Sequence, residues 1–189
     1  MILKIRQVGE PVLRQMARPL TAAEILDDAI QDLIEWMRAT MRDAPGVGLA
    51  APQIGVPLQL VVLEDPPEYI RKVTPEEAAE RDRRPVPFQV LINPVITLDP
   101  GEPAEFFEGC LSVAGFTAVV PRARKVHVEC LNQRAEPVVI DGEGWYARIL
   151  QHEIDHLHGV LYIDRMAART FATLDNYGRF RKHMSENRS

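Results

Sequence analysis

Near the N-terminus Ile25, Ala29, Leu33, Trp36, Met37 and Met41 recur at helical spacing, with polar residues between them. Thr21-Ala22-Ala23-Glu24 precedes them and reads as a capping box, a hydroxyl followed three residues on by a glutamate. Pro45-Gly46 ends the run, so one helix is expected between cap and stop, with its methionines and tryptophan in the core. Ahead of it, a short extended start leads into a surface loop at residues 9–14. Residues 58–63 form an apolar run and read as a buried strand. Residues 90–96 read as another, and Pro94 inside it predicts an edge position, because proline cannot donate to a ladder. Residues 125–131 alternate: Val126, Val128 and Cys130 share the apolar face and His127 falls on the polar one. Residues 137–141 are expected to pair with them as a hairpin, with Asp141-Gly142 starting the turn into a late helix.

That late helix has an apolar side of Ile149, Leu150, Ile154 and Leu157, and Gly159 marks its stop. A short strand is expected at 160–163. Residues 165–183 read as a C-terminal helix or loosely helical tail, with Arg165, Arg169, Arg179, Arg181 and Lys182 as a solvated face. Residues 65–87 are polar and proline-rich; Thr74-Pro75-Glu76-Glu77 starts a short helix there, and Arg81, Arg83 and Arg84 read as solvated. Short strands, a first helix and a late helix together predict an α+β domain spanning 1–189, with an insert at 65–87 and a tail at 165–189.

Composition narrows the picture. A chain of 189 residues, 46% hydrophobic and 26% charged, can bury a sizeable core as one globular domain. A net charge of −5 argues against broad nucleic-acid binding, including direct DNA binding. There is no apolar run of the length that a membrane span needs. Two cysteines make no disulfide framework, so a reducing compartment is expected. With Met1 at the start and no recognisable transit peptide, the expected location is the bacterial cytoplasm, a trimmed organelle form being the other reading.

The candidate chemistry sits on the late helix, in Gln151-His152-Glu153-Ile154-Asp155-His156. His152 and His156 lie four residues apart, on one helical face, and can grip one metal ion. Glu153 beside them is a candidate general base. A catalytic metal usually takes three protein ligands and keeps one position open, so a third ligand is needed. Residues 46–55 are dense in small side chains, which lets backbone approach something closely. They read either as part of a site or as a tight turn between helix and strand; no lysine follows, so they are not a phosphate loop. Gln53 is the polar side chain there able to point at a ligand. Cys110, between Gly109 and Leu111, reads as a metal ligand, a buried free thiol, or half of a disulfide with Cys130. Cys130 itself is expected in the core.

Three stretches occur in order: Gly-x-Gly-x-Ala-Ala-x-Gln from Gly46, Glu-Gly-Cys-Leu-Ser from Glu108 and Gln-His-Glu-x-Asp-His from Gln151. At this point the chain resembles the peptide deformylases, from the Gly9–Arg14 opening to the histidine helix. The resemblance implies one divalent metal held by Cys110, His152 and His156, ferrous iron before zinc, nickel or cobalt. It implies Glu153 as the acid–base group, and the Gln53 amide and Leu111 N–H as oxyanion donors. Gly46, Val47, Gly48, Glu108, Gly109, Trp145, Arg148 and Ile149 become substrate-binding candidates, the two glycines letting a peptide pair as an added strand. The implied reaction removes formyl groups from N-formylmethionyl peptides of nascent chains and releases formate, with transient ribosome contact. Residues 112–116, Gly144-Trp145-x-Ala147-Arg148 and the insert look like the organelle-like branch, and the tail does not match the long helix of the commoner bacterial branch. The competing readings are a general H-E-x-x-H metallopeptidase with a ligand among His158, His183 and Glu186, a hydrolase using the Cys110 thiol, and a non-enzymatic binding module. Asp155 lies off the metal-binding face, and an ion pair with Arg122 is expected to fix the helix to the sheet.

Overall fold

Thr21 caps a single turn, α1 (Ala22–Ile25): its Oγ accepts from Glu24 N while the Glu24 carboxylate accepts from Thr21 N at 2.7 Å. Asp27 then caps a separate helix, α2 (Asp28–Asp43), accepting from Ala29 N. The single helix expected here is two, because Asp27 offers a second cap ahead of the same apolar stripe. The structure is a computed structural model that describes residues 1–186, with side chains to residue 180. The strands, in chain order, are β1 (Gly48–Ala50), β2 (Leu60–Asp65), β3 (Val86–Leu98), β4 (Ala104–Cys110), β5 (Val113–Arg122), β6 (Lys125–Leu131), β7 (Pro137–Glu143) and β8 (Ala172–Thr173). The insert holds α3 (Pro67–Ile70) and α4 (Pro75–Glu80), the latter capped by Thr74 as expected. Helix α5 (Gly144–Leu157) and helix α6 (Leu174–Glu186) follow.

Five strands form an antiparallel sheet in the order β1-β2-β3-β6-β7, and β4, β5 and β8 form a second, three-stranded one. Both are antiparallel, so the fold is a mixture of helices and antiparallel sheet. Strand β2 shows why its sequence is continuously apolar. Val61 and Leu63 pack with Ile149, Leu150 and Ile154 of α5, whereas Leu60 and Val62 pack with Ile34, Met37 and Met41 of α2. A strand covered on both faces loses the polar alternation of a half-exposed one.

Several expectations are corrected. Strand β3 is an inner strand rather than an edge; the register shifts between Ile92 and Val95, with Asn93 at φ 51°, and this bulge absorbs the missing N–H of Pro94. The small-residue stretch is not a turn between helix and strand: residues 48–50 pair with β2, and a 3-10 turn follows at Ala51–Ile54. The loop at 9–14 contains a 3-10 turn, Pro11–Arg14. Strand β7 runs through residues 141–143 directly into α5, where Gly144 takes a φ of 57°. Residues 160–163 are not a strand. They enter a 3-10 turn at Tyr162–Asp164, closed by the Asp164 carboxylate accepting from Leu161 N at 2.8 Å. The tail is not purely solvated, because its apolar residues find the second sheet. Strand β8 pairs with β5, Phe171 stacks on Phe116 at 5.0 Å, and Tyr177 meets Phe107 at 4.4 Å between ring centroids. Residues 187–189 of the tail, and the side chains of Arg181, Lys182, His183 and Glu186, lie outside the described residues. Cys110 and Cys130 are both free, so the disulfide alternative is set aside.

Candidate metal centre

Helix α5 faces inward along most of its length, with Arg148, Gln151, Glu153, Asp155 and His156 buried alongside its apolar residues. The β4–β5 hairpin comes to meet it. Cys110 pairs with Val113, so residues 111–112 form the hairpin tip, and the register shifts between Glu108 and Cys110. The bulge at this point lets Glu108 and Cys110 both reach α5. Glu108 Oε2 lies 2.9 Å from His152 Nδ1, and Cys110 Sγ lies 3.3 Å from His156 Nε2.

One ligand atom from each of Cys110, His152 and His156 falls within 4.8 Å of the other two. Donors around a tetrahedral ion of this type sit about 3–4 Å apart, so the three need only a small closure to hold one ion. A thiolate with two neutral imidazoles suits a divalent transition metal and does not choose among iron, zinc, nickel and cobalt. The residues therefore fit the ion that the family resemblance implies. The partners behind them fit as well. His152 Nδ1 donates to Glu108, leaving Nε2 available, which is the arrangement that orients metal-ligating histidines.

Glu108 is the hub of a buried ion network. Its Oε1 accepts from Arg122 Nε at 3.0 Å and Arg148 Nη1 at 2.6 Å; its Oε2 accepts from Arg122 Nη2 at 3.1 Å and from His152. Burial opposes its charge, but the His152 hydrogen bond and the Arg122 guanidinium hold the carboxyl well below its usual range. With both oxygens engaged by internal donors, Glu108 supports the site from behind. Arg148 is similarly committed, donating also to the carbonyls of Val120 at 2.8 Å and Ala104 at 2.6 Å. Asp155 accepts from Arg122 Nη1 at 2.5 Å, as expected, and also from Arg165 at 2.7 Å through both Nε and Nη2. Arg165 was invisible in the sequence pattern, which placed it on a solvated tail.

Glu153 is 4% exposed, and its Oε2 is buried without a hydrogen-bond partner among the described residues. Burial pushes its carboxyl up to about 7, against the pull of His152. Gln53 is 1% exposed and its amide is oriented: Oε1 accepts from Ala50 N at 2.8 Å, so Nε2 faces Ser112 Oγ at 3.2 Å and Cys110 Sγ at 3.5 Å. The Leu111 carbonyl accepts from Gln7 Nε2 at 2.9 Å, which ties the hairpin tip to the N-terminal segment. Gly48 and Gly46 have a role the sequence did not specify. A Cβ at 48 would fall 2.2 Å from Glu153 Oε1, and one at 46 would fall 2.8 Å from Leu111 Cδ1.

These groups open into one cavity of about 530 Å³. Gly46, Val47, Gly48, Gln53, Glu108, Gly109, Cys110, Leu111, Trp145, Arg148, Ile149, His152 and Glu153 all line it. His156, 1% exposed, stands behind His152 and Cys110. Phe107, Val113, Phe116 and Leu174 also line the cavity and are not among the expected site residues. Leu174 carried no local signal, because the β5–β8 pairing alone delivers it. Tyr162, 1% exposed, lies with its ring 6.4 Å from that of His152.

The sequence profile described as "Polypeptide deformylase" matches residues 2–172. The chain is 50% identical to the chloroplastic peptide deformylase 1A of Solanum lycopersicum over 172 residues, covering 91% of this chain and 62% of that protein. It is 44% identical to the mitochondrial peptide deformylase of Homo sapiens over 168 residues, covering 89% of this chain and 69% of the human one. It thus spans less than two thirds of the plant relative's length. A crystal structure of a class I type b peptide deformylase from Acinetobacter baumannii, with Met-Ala-Ser bound, superposes with a TM-score of 0.78 at 33% identity, covering 88% of this chain and 99% of that one. Profile, relatives and fold agree with the three motifs read from the sequence: the chain belongs to the polypeptide deformylase family.

Proposed function

We propose that this protein is a metal-dependent deformylase. It removes the formyl group from N-formylmethionyl peptides of newly made chains and releases formate. The observation that carries this reading is the convergence of Cys110, His152 and His156 beside a partnerless Glu153 carboxylate, at the wall of one cavity. Family membership favours it over a general metallopeptidase. Among the described residues, the third donor close to the two histidines is the hairpin thiol rather than His158.

Cys110, His152 and His156 would hold the ion, with ferrous iron as the native choice by family resemblance. When bound, such an ion lowers the pKa of a water near neutral pH and polarises a carbonyl oxygen. Glu153 takes the proton of the attacking water on its carboxylate and passes it to the leaving amine. The Gln53 Nε2–H group, fixed by Ala50, donates to the oxyanion that develops on the formyl oxygen, together with the Leu111 N–H. Strand β1 is the outer strand of its sheet, so a peptide lies along it as an added strand. Val47, Trp145 and Ile149 shape the space for the methionine side chain. The Met-Ala-Ser ligand in the Acinetobacter relative supports a peptide occupant beginning with methionine.

No helix among the described residues is long and apolar enough to cross a membrane. We place the protein at sites of formyl-methionine-initiated synthesis, the bacterial cytoplasm or an organelle. A transient ribosome contact belongs to the same proposal.

The test is formate release from formyl-Met-Ala-Ser under low oxygen, with and without a chelator, for the parent and Glu153→Ala. Turnover that a chelator abolishes, and that Glu153→Ala loses while its metal content stays equal to the parent's, is the expected result. Turnover that survives chelation would point to the Cys110 thiol instead. Absence of formate from a metal-loaded sample would reject the reading.

A further inference from the structure

The insert between β2 and β3 is polar and proline-rich, and the pattern predicts a solvated face for Arg81, Arg83 and Arg84. The insert folds back instead onto the first turn of α5. Gly144 shows how close the approach is: a Cβ there would fall 2.6 Å from Asp82 Cβ and 2.9 Å from Arg81 O. This contact brings two guanidinium groups onto one indole. Arg81 Cζ lies 4.9 Å from the Trp145 ring centroid and Arg83 Cζ lies 5.3 Å from it. Arg148 comes within 6.0 Å of the same ring. Arg81 also reaches the Phe106 ring at 5.4 Å, so it bridges α5 and β4.

Each clamping cation is itself fixed or enclosed. Arg83 makes a two-pronged pair with Asp65, Nε to Oδ2 at 2.8 Å and Nη2 to Oδ1 at 2.7 Å, and Asp65 is fully buried. Arg148 is neutralised by Glu108. Arg81 Nε is buried without a hydrogen-bond partner among the described residues, so its interaction with the aromatic faces is what that end of the chain supplies. Trp145 Nε1 is likewise buried and unpartnered, which leaves ring contacts to hold the indole.

Trp145 is a wall of the 530 Å³ cavity. A second hollow of about 160 Å³ is bordered by Arg81, Phe106, Gly144 and Arg148. Arg148 borders both, so the guanidinium groups packed on the indole, Arg81 and Arg148, stand between the cavity and this hollow. We propose that Arg81 and Arg83 of the insert are specificity-determining positioning residues: they hold Trp145 forward and so set the size of the side chain that the cavity accepts. This inference rests on the deformylase reading for its substrate and on the clamp geometry for its mechanism.

The chain has two tryptophans, so a Trp36→Phe background isolates the emission of Trp145. In that background Arg81→Ala should shift Trp145 emission to the red and increase its quenching by iodide, and Arg81→Lys should restore both. Turnover of formyl-Met-Ala-Ser and formyl-Phe-Ala-Ser reads selectivity. Arg81→Ala should lower the Met-over-Phe preference in kcat/KM by about fivefold or more through KM, with kcat for the Met peptide within about twofold. Arg81→Met, which keeps bulk and loses charge, serves as the second variant, and Arg83→Met with Asp65→Asn should behave like Arg81→Ala. Unchanged emission in correctly folded Arg81→Ala would overturn the clamp. Shifted emission with unchanged selectivity would overturn its role in specificity. A parent that releases no formate would reject the deformylase reading while the emission measurements still judged the clamp.

Discussion

Gly48 and Glu153 are in direct contact: a Cβ on residue 48 would overlap the Glu153 carboxylate, at 2.2 Å from Oε1 and 2.4 Å from Cδ. The glycine of β1 therefore makes room for the Glu153 carboxylate of α5, across the boundary between sheet and helix. Gly48→Ala should displace that carboxylate and lower kcat by about a hundredfold or more, the scale of a lost general base. Metal content should stay near that of the parent. Steady-state kinetics with metal analysis checks this; parent-like kcat in a folded Gly48→Ala protein would contradict it.

Gln53 presents its amide N–H group because its carbonyl oxygen is occupied by Ala50 N. Gln53→Leu, which keeps the bulk and removes the donor, should reduce kcat by about a hundredfold, equivalent to ~3 kcal/mol of oxyanion stabilisation. KM for formyl-Met-Ala-Ser should change much less, since an oxyanion donor acts on charge that develops in the transition state. An effect confined to KM would move Gln53 out of the oxyanion role.

Glu108 orients His152 and neutralises two buried arginines. Glu108→Gln keeps the shape but loses the charge, and should weaken metal affinity about ten- to a hundredfold. Competition with a chelator of known affinity reads this. Unaltered affinity would show that the His152 ring is held by other means.

Asp155 joins α5 to β5 through Arg122, whose side chain is 3% exposed. Asp155→Ala leaves that guanidinium with one carboxylate instead of two, and should cost ~3 kcal/mol in urea unfolding. Arg165→Ala should cost less, under ~1 kcal/mol, because Arg165 is 48% exposed at the side chain. Equal costs for the two would mean that burial does not set the value of this network.

Cys130 gives the alkaline side of the stability profile. Burial pushes its thiol up to about 11 from an ordinary value of 9.0. A group whose folded pKa is raised contributes stability that is complete below the unfolded value and lost as pH rises through the folded one. The melting temperature should therefore fall between pH 9 and pH 11, and fall less in Cys130→Val. Identical slopes in the two proteins would assign the alkaline loss to other groups.

Local patterns along the chain located the candidate site residues on their elements. Helical spacing placed His152, Glu153 and His156 on α5, alternation placed Cys130 and the β6–β7 hairpin, and three ordered motifs carried the family resemblance. These are local patterns: period, spacing and capping depend on neighbours within a few residues. Asp27 as a second cap is equally local, but it stands six residues after the stronger capping box at Thr21. Which of these residues meet was settled only by the packing of distant elements. It set Glu108 against three cationic or proton-donating partners, brought Arg165 and Leu174 back from the tail, and turned the surface arginines of the insert onto Trp145. It also placed Pro94 inside the sheet, at a bulge. Contacts between residues far apart in the chain depend on register, bulges and the packing of one element on another, and no periodicity along the sequence encodes them.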